Sequence, residues 1–204
     1  MNYDLQVTIP LNASEEQRAQ LRALQAAFAQ VCNALAPAVQ QSRIWNRVTL
    51  HHLHYHQLRA RFPAIGSQMV CNAIYSVSRT ARQVYQHPDS PFHLAKLGQR
   101  PLPLLRFADT CPVYFDRHTL SIKPAELSLY TLDGRMHFQL QISAQVEAAF
   151  RERRLKEIVL KRQADGGFVL SFTLHPAQGA ARVADESADS GNVIPDYIDL
   201  KEPS

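Results

Sequence analysis

The chain has 204 residues, 46% of them hydrophobic, which is enough to bury one core of ordinary size or two small ones. No run of 18 apolar residues occurs, so no membrane-spanning helix is predicted, and the N-terminus lacks the basic and apolar pattern of a signal peptide. The three cysteines, Cys32, Cys71 and Cys111, form no Cys-x-x-Cys pair, which argues against a disulfide framework or a cysteine-built zinc site and favours the cytoplasm.

The net charge of +4 is unevenly distributed along the chain. Residues 1–181 carry a net charge of +8, whereas residues 182–204 hold six acidic residues against two basic ones. A basic body with an acidic tail is typical of a protein with a polyanionic partner. A merely solvated surface would give the same balance, and charge alone does not decide between the two.

The first predicted elements are one strand and one long helix. Residues 3–9 alternate between apolar and polar side chains, which predicts a half-buried strand that ends at Pro10. Ser14-Glu15-Glu16-Gln17 is a capping box and predicts the start of a helix, whose apolar stripe runs from Leu21 to Leu35. Pro37 is predicted to kink or end this helix.

Two more helices are predicted before residue 92. The second covers about residues 47–62, the third begins at Gly66-Ser67, and the segment 87–91 ends it with two prolines. The candidate core residues are Leu50, Leu53, Leu58 and Phe62 in the second helix, and Val70, Ile74, Val77, Ala81 and Val84 in the third.

After residue 91 the pattern predicts strands. Short apolar runs alternate with turn residues, with hairpin turns at Asp133-Gly134 and Asp165-Gly166-Gly167. From Pro176 onward glycine, alanine, serine and aspartate dominate, which predicts a disordered tail. The predicted strands are 104–107, 113–115, 119–122, 126–132, 136–142, 155–161 and 168–174.

This order predicts an α+β fold in which a helical block is inserted into an antiparallel β-domain. The isolated N-terminal strand must pair to satisfy its backbone groups, and the strands beyond residue 100 are its only candidate partners. The predicted domains are a β-domain of residues 1–11 and 92–176, an inserted three-helix domain of residues 12–91, and an acidic disordered tail of residues 177–204.

The sequence offers no self-contained active site. His52 and His56, within the run of histidines at 51–56, have a spacing that zinc tolerates, but no third ligand is near, so a polar helix face is favoured over a metal site. Cys71 lies in a predicted helix, where a packed thiol is favoured over a nucleophile. There is no glycine-rich phosphate loop and no carboxylate pairing for two-metal chemistry, so we expect no catalytic residue, metal or cofactor.

The basic residues are more informative, because arginine matches the geometry of phosphate and several such groups give salt-sensitive affinity for nucleic acid. Tyr75, Tyr85 and Tyr114 are candidates for stacking on bases, although each could equally belong to a core. The candidate nucleic-acid-binding residues are Arg59, Arg61, Arg79, Arg82, Arg100, Arg106, Arg151, Arg153, Arg154, Lys156, Lys161 and Arg162.

One short basic segment stands out among these residues. Arg151, Arg153, Arg154 and Lys156 are expected to form a phosphate-contacting edge of the β-domain, with Arg79 and Arg82 contributing from the helices. If the segment is helical, Arg151 and Arg154 lie on one face, and replacing both by alanine should weaken RNA binding and flatten its salt dependence by roughly one to two units.

Several short strings occur in the order and spacing of a known family. The chain resembles the N-terminal half of TnpB proteins, the RNA-guided nucleases of insertion sequences that are related to type V CRISPR effectors. The similar pieces are the strand Tyr3–Ile9 followed by Ser14-Glu15-Glu16-Gln17, then Val31-Cys32-Asn33-Ala34-Leu35, Phe62-Pro63-Ala64-Ile65-Gly66-Ser67-Gln68 leading into Ala73-Ile74, Leu105-Arg106-Phe107, and Gly167-Phe168-Val169-Leu170-Ser171-Phe172.

The resemblance implies a fold and a set of partners. The β-domain would correspond to the wedge domain, an oligonucleotide-binding-like barrel, and the helices to the recognition lobe. These parts hold a guide or scaffold RNA and help to read target DNA, with or without a separate nuclease or effector chain, and they contact no membrane.

The family's RuvC nuclease is reduced here to Tyr197-Ile198-Asp199-Leu200-Lys201, in which both glycines of its first strand are replaced, and its zinc-ribbon cysteine pairs are missing. We therefore expect no cleavage by this chain.

Three functions compete at this point. The leading one is a nuclease-free module that binds RNA and DNA. The second is a protein-interaction, assembly or regulatory factor that has lost contact with nucleic acid, and the third is a decayed transposase remnant.

Overall fold

The computed structural model describes residues 3–177 and 193–201 and shows an α+β fold of helices and antiparallel sheets. The chain divides into two compact units, one made of Met1–Leu21 and Tyr114–Ala188, the other of Arg22–Val113 and Asp189–Ser204. The helices are α1 (Glu15–Ser42), α2 (Arg47–Arg61), α3 (Ser67–Gln86), α4 (Leu94–Leu97) and α5 (Ala144–Glu152). The strands are β1 (Leu5–Leu11), β2 (Leu104–Phe107), β3 (Val113–Phe115), β4 (Leu120–Lys123), β5 (Glu126–Thr131), β6 (Gly134–Gln139), β7 (Arg153–Arg162), β8 (Phe168–Pro176) and β9 (Ile198–Lys201).

The first long helix begins where the capping box predicts. The Gln17 amide donates a hydrogen bond to the Ser14 hydroxyl at 3.2 Å, and the Ser14 amide donates one to the Gln17 side chain at 3.0 Å. The helix does not end at Pro37 but continues to Ser42. Proline removes one backbone hydrogen bond, and the burial of Val39 shows that packing beyond it continues.

The two following helices are confirmed, and both belong to the second unit. All five predicted stripe residues of α3 are buried. In α2, Leu50 and Leu58 are buried, whereas Leu53 is 61% exposed and Phe62 lies just after the helix end. The prediction that Leu53 is a core residue is therefore wrong, because Leu50 and Leu58 define the buried side and position 53 falls on the outward half of the helix.

The predicted pairing of the N-terminal strand is confirmed. β1 pairs antiparallel with β8, with Leu5 opposite Leu174 and Leu11 opposite Phe168, in a sheet of order β1-β8-β7-β3. Pro10 lies inside β1 rather than ending it. β1 is an edge strand of this sheet, where a residue without a backbone N–H is tolerated.

The described strands form three separate sheets, and no closed barrel is found among them. Besides the four-stranded sheet, β4, β5 and β6 form a meander in the first unit, and β2 pairs with β9 in the second. The predicted turn at Asp133-Gly134 joins β5 to β6, and Gly134 adopts a φ of 99°, which favours glycine. In the described part of the chain, no helix has the length and apolar character needed to cross a membrane.

Part of the predicted tail is a strand. Residues 198–201 form β9, with Ile198 opposite Phe107 and Asp199 opposite Arg106. The prediction of disorder is wrong for this segment, because Ile198 is 6% exposed and packs as a core residue of the second unit. The remainder of the predicted tail, residues 178–192 and 202–204, lies outside the described residues.

Three amide side chains of α1 form hydrogen bonds with the backbone of β2 and of the residues just before and after it. Gln25 Nε2 donates to the Cys111 carbonyl at 3.0 Å, and Gln40 Nε2 donates to the Leu102 carbonyl at 2.8 Å. Asn33 bonds both backbone groups of Phe107, donating to the carbonyl at 2.9 Å and accepting from the N–H at 2.7 Å. These contacts position β2 and with it Arg106.

Replacing Asn33 by alanine should therefore lower the free energy of unfolding by about 1–3 kcal/mol, because two backbone groups of Phe107 lose their partner. The measurement is urea unfolding followed by circular dichroism. Gln30→Ala is the matched control, since Gln30 is exposed on the same helix and should change stability little. Equal effects of the two changes would contradict the role given to Asn33.

Candidate nucleic-acid interface

The basic segment at 151–156 is divided between a helix and a strand. Ser143 caps α5 through a hydrogen bond from the Val146 amide at 3.3 Å, the helix ends at Glu152, and β7 begins at Arg153. The expectation that Arg151 and Arg154 share one helical face is therefore wrong. The backbone turns to an extended conformation at Arg153, so the two side chains belong to different elements.

The sheet register places part of β7 on the outward face. Ile158 and Leu160 lie opposite Phe172 and Leu170 on the buried face. Side chains alternate between the two faces of a strand, so Arg154 and Lys161, paired with His175 and Val169, belong to the other face. Arg162 is exposed at the end of the strand.

A small charged cluster forms where β1, β7 and β8 meet. Lys156 Nζ lies 3.6 Å from Asp4 Oδ2, and His175 Nδ1 is in hydrogen-bonding contact with Asp4 Oδ1. Arg153 donates to the Tyr3 carbonyl at 3.2 Å, and Arg154 lies opposite His175. Lys156 sits at the β-bulge between Leu155 and Glu157, which removes it from the regular alternation of β7. Several basic groups thus surround the single carboxylate of Asp4.

Two of the predicted phosphate ligands already have acidic neighbours. Arg151 is paired with Glu147 at 2.9 Å, one turn earlier in α5, and Lys156 is paired with Asp4. A phosphate would have to compete with these carboxylates. Arg154, Lys161 and Arg162 are the exposed cations of β7 that remain the strongest candidates in the first unit.

Three of the arginines predicted to bind nucleic acid lie in the second unit and have partners or neighbours within the protein. Arg59 Nη1 donates to the carbonyl of Ile65, in the turn between α2 and α3, and Arg100 donates to the carbonyls of Lys96 and Leu97 at the end of α4. Arg106 is exposed on β2 opposite Asp199, where opposite charges attract. The hydrogen bonds occupy the guanidinium groups of Arg59 and Arg100 at least in part.

The remaining predicted arginines lie on α2 and α3. Arg61 is exposed at the end of α2, with its guanidinium carbon 5.4 Å from the centre of the Phe62 ring, and Arg82 is exposed on α3. Arg79 is half-buried and lies near Tyr197. Burial raises the pKa of Tyr197 to about 12, and a hydrogen bond with Thr80 and the charge of Arg79 partly oppose that shift.

The strongest indication of a polyanion-binding surface is a long segment without acidic residues, which the choice of candidate residues from the sequence did not take into account. Between Glu16 and Asp89 there is no aspartate or glutamate, while residues 17–88 contain eight arginines and five histidines. This range includes nearly all of α1 and the whole of α2 and α3. Any carboxylate that pairs with these cations must therefore come from outside the segment, as Glu15 does for Arg18 at 4.0 Å.

The predicted stacking residues differ in their placement. Tyr85 is fully buried and donates a hydrogen bond to the Pro103 carbonyl at 2.6 Å, and Tyr114 is 7% exposed. Stacking on bases is wrong for both, because they are core residues. Tyr75 is half-buried, with the guanidinium carbon of Arg47 lying 5.1 Å from its ring centre.

The described residues show no arrangement for nucleophilic or metal chemistry. Burial raises the pKa of Cys32 well above its usual range and that of Cys111 to about 12, so both are neutral thiols at physiological pH. Cys71 is half-buried in α3. No group of three or more histidine, cysteine, aspartate or glutamate side chains within residues 3–177 and 193–201 is placed to hold a metal ion.

Comparison of the chain with protein-family models and with curated proteins returns no match. The likeness to TnpB proteins therefore depends on the short strings quoted above and on the order of the elements.

Proposed function

We propose that this protein binds nucleic acid without cutting it, and that its ligand is a structured guide or scaffold RNA. The observation that supports this most directly is the acid-free segment of residues 17–88, with its eight arginines. Cations in a protein surface normally alternate with carboxylates, which limit the attraction for a polyanion. A helical segment rich in arginine and without its own carboxylates favours the approach of phosphate, and arginine adds a planar, bidentate hydrogen-bonding group.

The face of the four-stranded sheet that carries Arg154 and Lys161 supplies a second basic surface in this proposal. Arg154 and Lys161 would contact phosphates there, Arg162 would do so from the exposed end of the strand, and the exposed Gln6 and Thr8 can bond the sugar. Thr8 and Ser171 lie within 3.4 Å of each other on this face, and Gln6 donates to Thr173 at 3.0 Å. Half or more of the hydrogen bonds in protein–nucleic acid complexes go to phosphate and sugar.

The resemblance to TnpB proteins extends the proposal to partners and architecture. In that reading the β-domain predicted from the sequence acts as an oligonucleotide-binding-like wedge domain, and the helices act as a recognition lobe. The complex of the protein with its RNA reads target DNA, with or without a separate nuclease chain. The pairing of β1 with β8, with α1, α2 and α3 following β1 directly in the chain, supports the inserted arrangement.

The experiment that tests RNA binding is sequencing of the RNA that co-purifies with the protein. A defined small RNA, enriched over total cellular RNA and lost in high salt, is the expected result. A low ratio of absorbance at 260 to 280 nm, together with a stoichiometric protein partner, would contradict the proposal and favour an assembly factor.

The protein should not cleave DNA or RNA in Mg²⁺ or Mn²⁺. Two-metal hydrolysis needs several converging carboxylates, and Asp199, the only acid that resembles one of the nuclease family, lies on a strand opposite Arg106. Labelled RNA and DNA incubated with highly purified protein should remain intact. Metal-dependent cleavage that persists in Asp199→Ala would show that the protein has an active site elsewhere.

A further inference from the structure

The outward side of α2 carries a row of aromatic rings. The rings of His51 and Tyr55 are stacked, with centroids 4.7 Å apart and planes 18° apart. His52 meets His51 edge-on at 6.2 Å, and His56 meets Tyr55 at 5.4 Å and 69°. We call these four residues the α2 ring row. Positions 51, 52, 55 and 56 lie on one side of a helix with 3.6 residues per turn. His52 and His56 face away from the buried Leu50 and Leu58, whereas His51, seven residues before Leu58, borders the buried side.

The α2 ring row is accessible to solvent, and an exposed valine and two exposed arginines lie on the same helix. His52 and His56 are exposed, and His51 and Tyr55 are half-buried. Val48, one turn before His52 on the same side, is 62% exposed. Arg47 and Arg61 are exposed at the two ends of α2, which are about 21 Å apart at 1.5 Å per residue.

We propose that the α2 ring row is a stacking site for unpaired bases of single-stranded RNA. The proposal rests on the RNA-binding function proposed above and names the part of the RNA that this helix contacts. Flat rings and an exposed apolar side chain suit the face of a base, which every nucleotide presents. The exposed Arg47 and Arg61, whose guanidinium groups lie over the rings of Tyr75 and Phe62, add positive charge at the two ends of the helix. The charge of the segment favours a polyanion over a basic or neutral protein partner, because no carboxylate occurs in residues 17–88.

The geometry also accounts for a feature that packing does not explain. Leu50 and Leu58 are the buried residues of α2, and the exposed positions 52 and 56 need no ring for packing. A solvated helix surface usually carries charged side chains of both signs, whereas this one carries rings and an exposed valine. Stacking on bases would explain why rings and an exposed valine occur together on this surface.

The test compares Tyr55→Leu with Tyr55→Trp. Leucine keeps the apolar bulk and the helix but loses the flat ring, whereas tryptophan keeps the ring. Binding is measured by fluorescence anisotropy with a labelled oligouridine of about ten nucleotides, within the usual range of single-strand site sizes. Tyr55→Leu should bind about 5- to 100-fold more weakly, and Tyr55→Trp should bind at least as tightly as the wild type. Tyr130→Leu is the matched control, because Tyr130 is a 42% exposed tyrosine of the first unit, on β5.

Two further measurements distinguish the contribution of base contacts to binding from that of phosphate contacts. An abasic oligomer of equal length should bind wild type and Tyr55→Leu equally. In Tyr55→Trp the new indole should be quenched by oligouridine and not by the abasic oligomer, while Trp45, which is 7% exposed, serves as the internal reference.

The outcomes distinguish the two proposals. If the wild type binds neither oligouridine nor the co-purified RNA, the RNA-binding function itself is wrong. If the wild type binds and Tyr55→Leu binds equally well, only the stacking site is wrong. A change in oligomeric state of Tyr55→Leu with unchanged RNA binding would mean that a second copy of the chain covers the ring row, and it would also overturn the stacking site.

Discussion

Replacing Arg47 and Arg61 together by glutamine should weaken RNA binding roughly 25-fold at about 0.1 M salt, and it should flatten the plot of log affinity against log salt by about 1.4 units. The estimate takes about 0.7 units for each phosphate contact with a single strand. Both arginines are exposed, and they lie in the acid-free segment. Affinities measured at several salt concentrations, with circular dichroism to show that α2 is intact, provide the test.

The matched control is the double variant Arg151→Gln and Lys156→Gln. It removes the same net charge, but these two cations already face Glu147 and Asp4 at 2.9 and 3.6 Å. A phosphate ligand must displace those carboxylates, so the control should flatten the salt dependence by clearly less. Equal slopes for the two double variants would mean that RNA responds only to net charge, and the helical surface would lose its special role.

The largest effect on stability is expected for Phe172→Ala, which should lower the free energy of unfolding by about 3–5 kcal/mol. Phe172 is fully buried at the centre of the four-stranded sheet, opposite Val7 on β1 and Ile158 on β7. The ring of Phe150 from α5 meets it edge-to-face, with centroids 5.0 Å apart. Alanine would leave a cavity and remove this aromatic pair, so three strands and α5 would lose contacts together.

Denaturant unfolding of Phe172→Ala measures this cost directly. Tyr130→Ala is the control, because it removes an aromatic ring of similar size from an exposed position and should cost less than about 1 kcal/mol. A loss of stability for Phe172→Ala no greater than that of the control would contradict the placement of this residue at the centre of the core.

The elements with sustained periodicity were predictable, and so were the short strands β2 and β3, which are apolar runs between turn residues, but α5 and β9 were not. α3 repeats its apolar spacing over 20 residues, so its bounds and buried stripe follow from the sequence. α5 has nine residues and β9 has four, which is too short for a period to stand out from a charged or low-complexity surrounding. The burial of Ile198 depends on its pairing with Phe107, a contact between distant parts of the chain that no local pattern contains.

The candidate site was predictable in its charge but not in its geometry. Counting arginines identified the basic segments, yet it could not show that Arg59 bonds a turn carbonyl or that Arg151 and Lys156 have carboxylate partners. The stretch without acids was readable from the sequence alone. Tyr55 was overlooked because it stands inside a run of histidines, and its stacking on His51 requires the helix to bring positions 51 and 55 together.

The pairing of β1 with β8 has a consequence for biosynthesis. β1 leaves the ribosome about 160 residues before its partner strand, an interval of roughly 8–30 s at 5–20 residues per second. During that interval Val7, Ile9 and Leu11 have no strand to cover them, while the helices between can already form. Because β1 has no ladder partner until β8 has been made, completion of the four-stranded sheet is a late, slow and non-local step of folding.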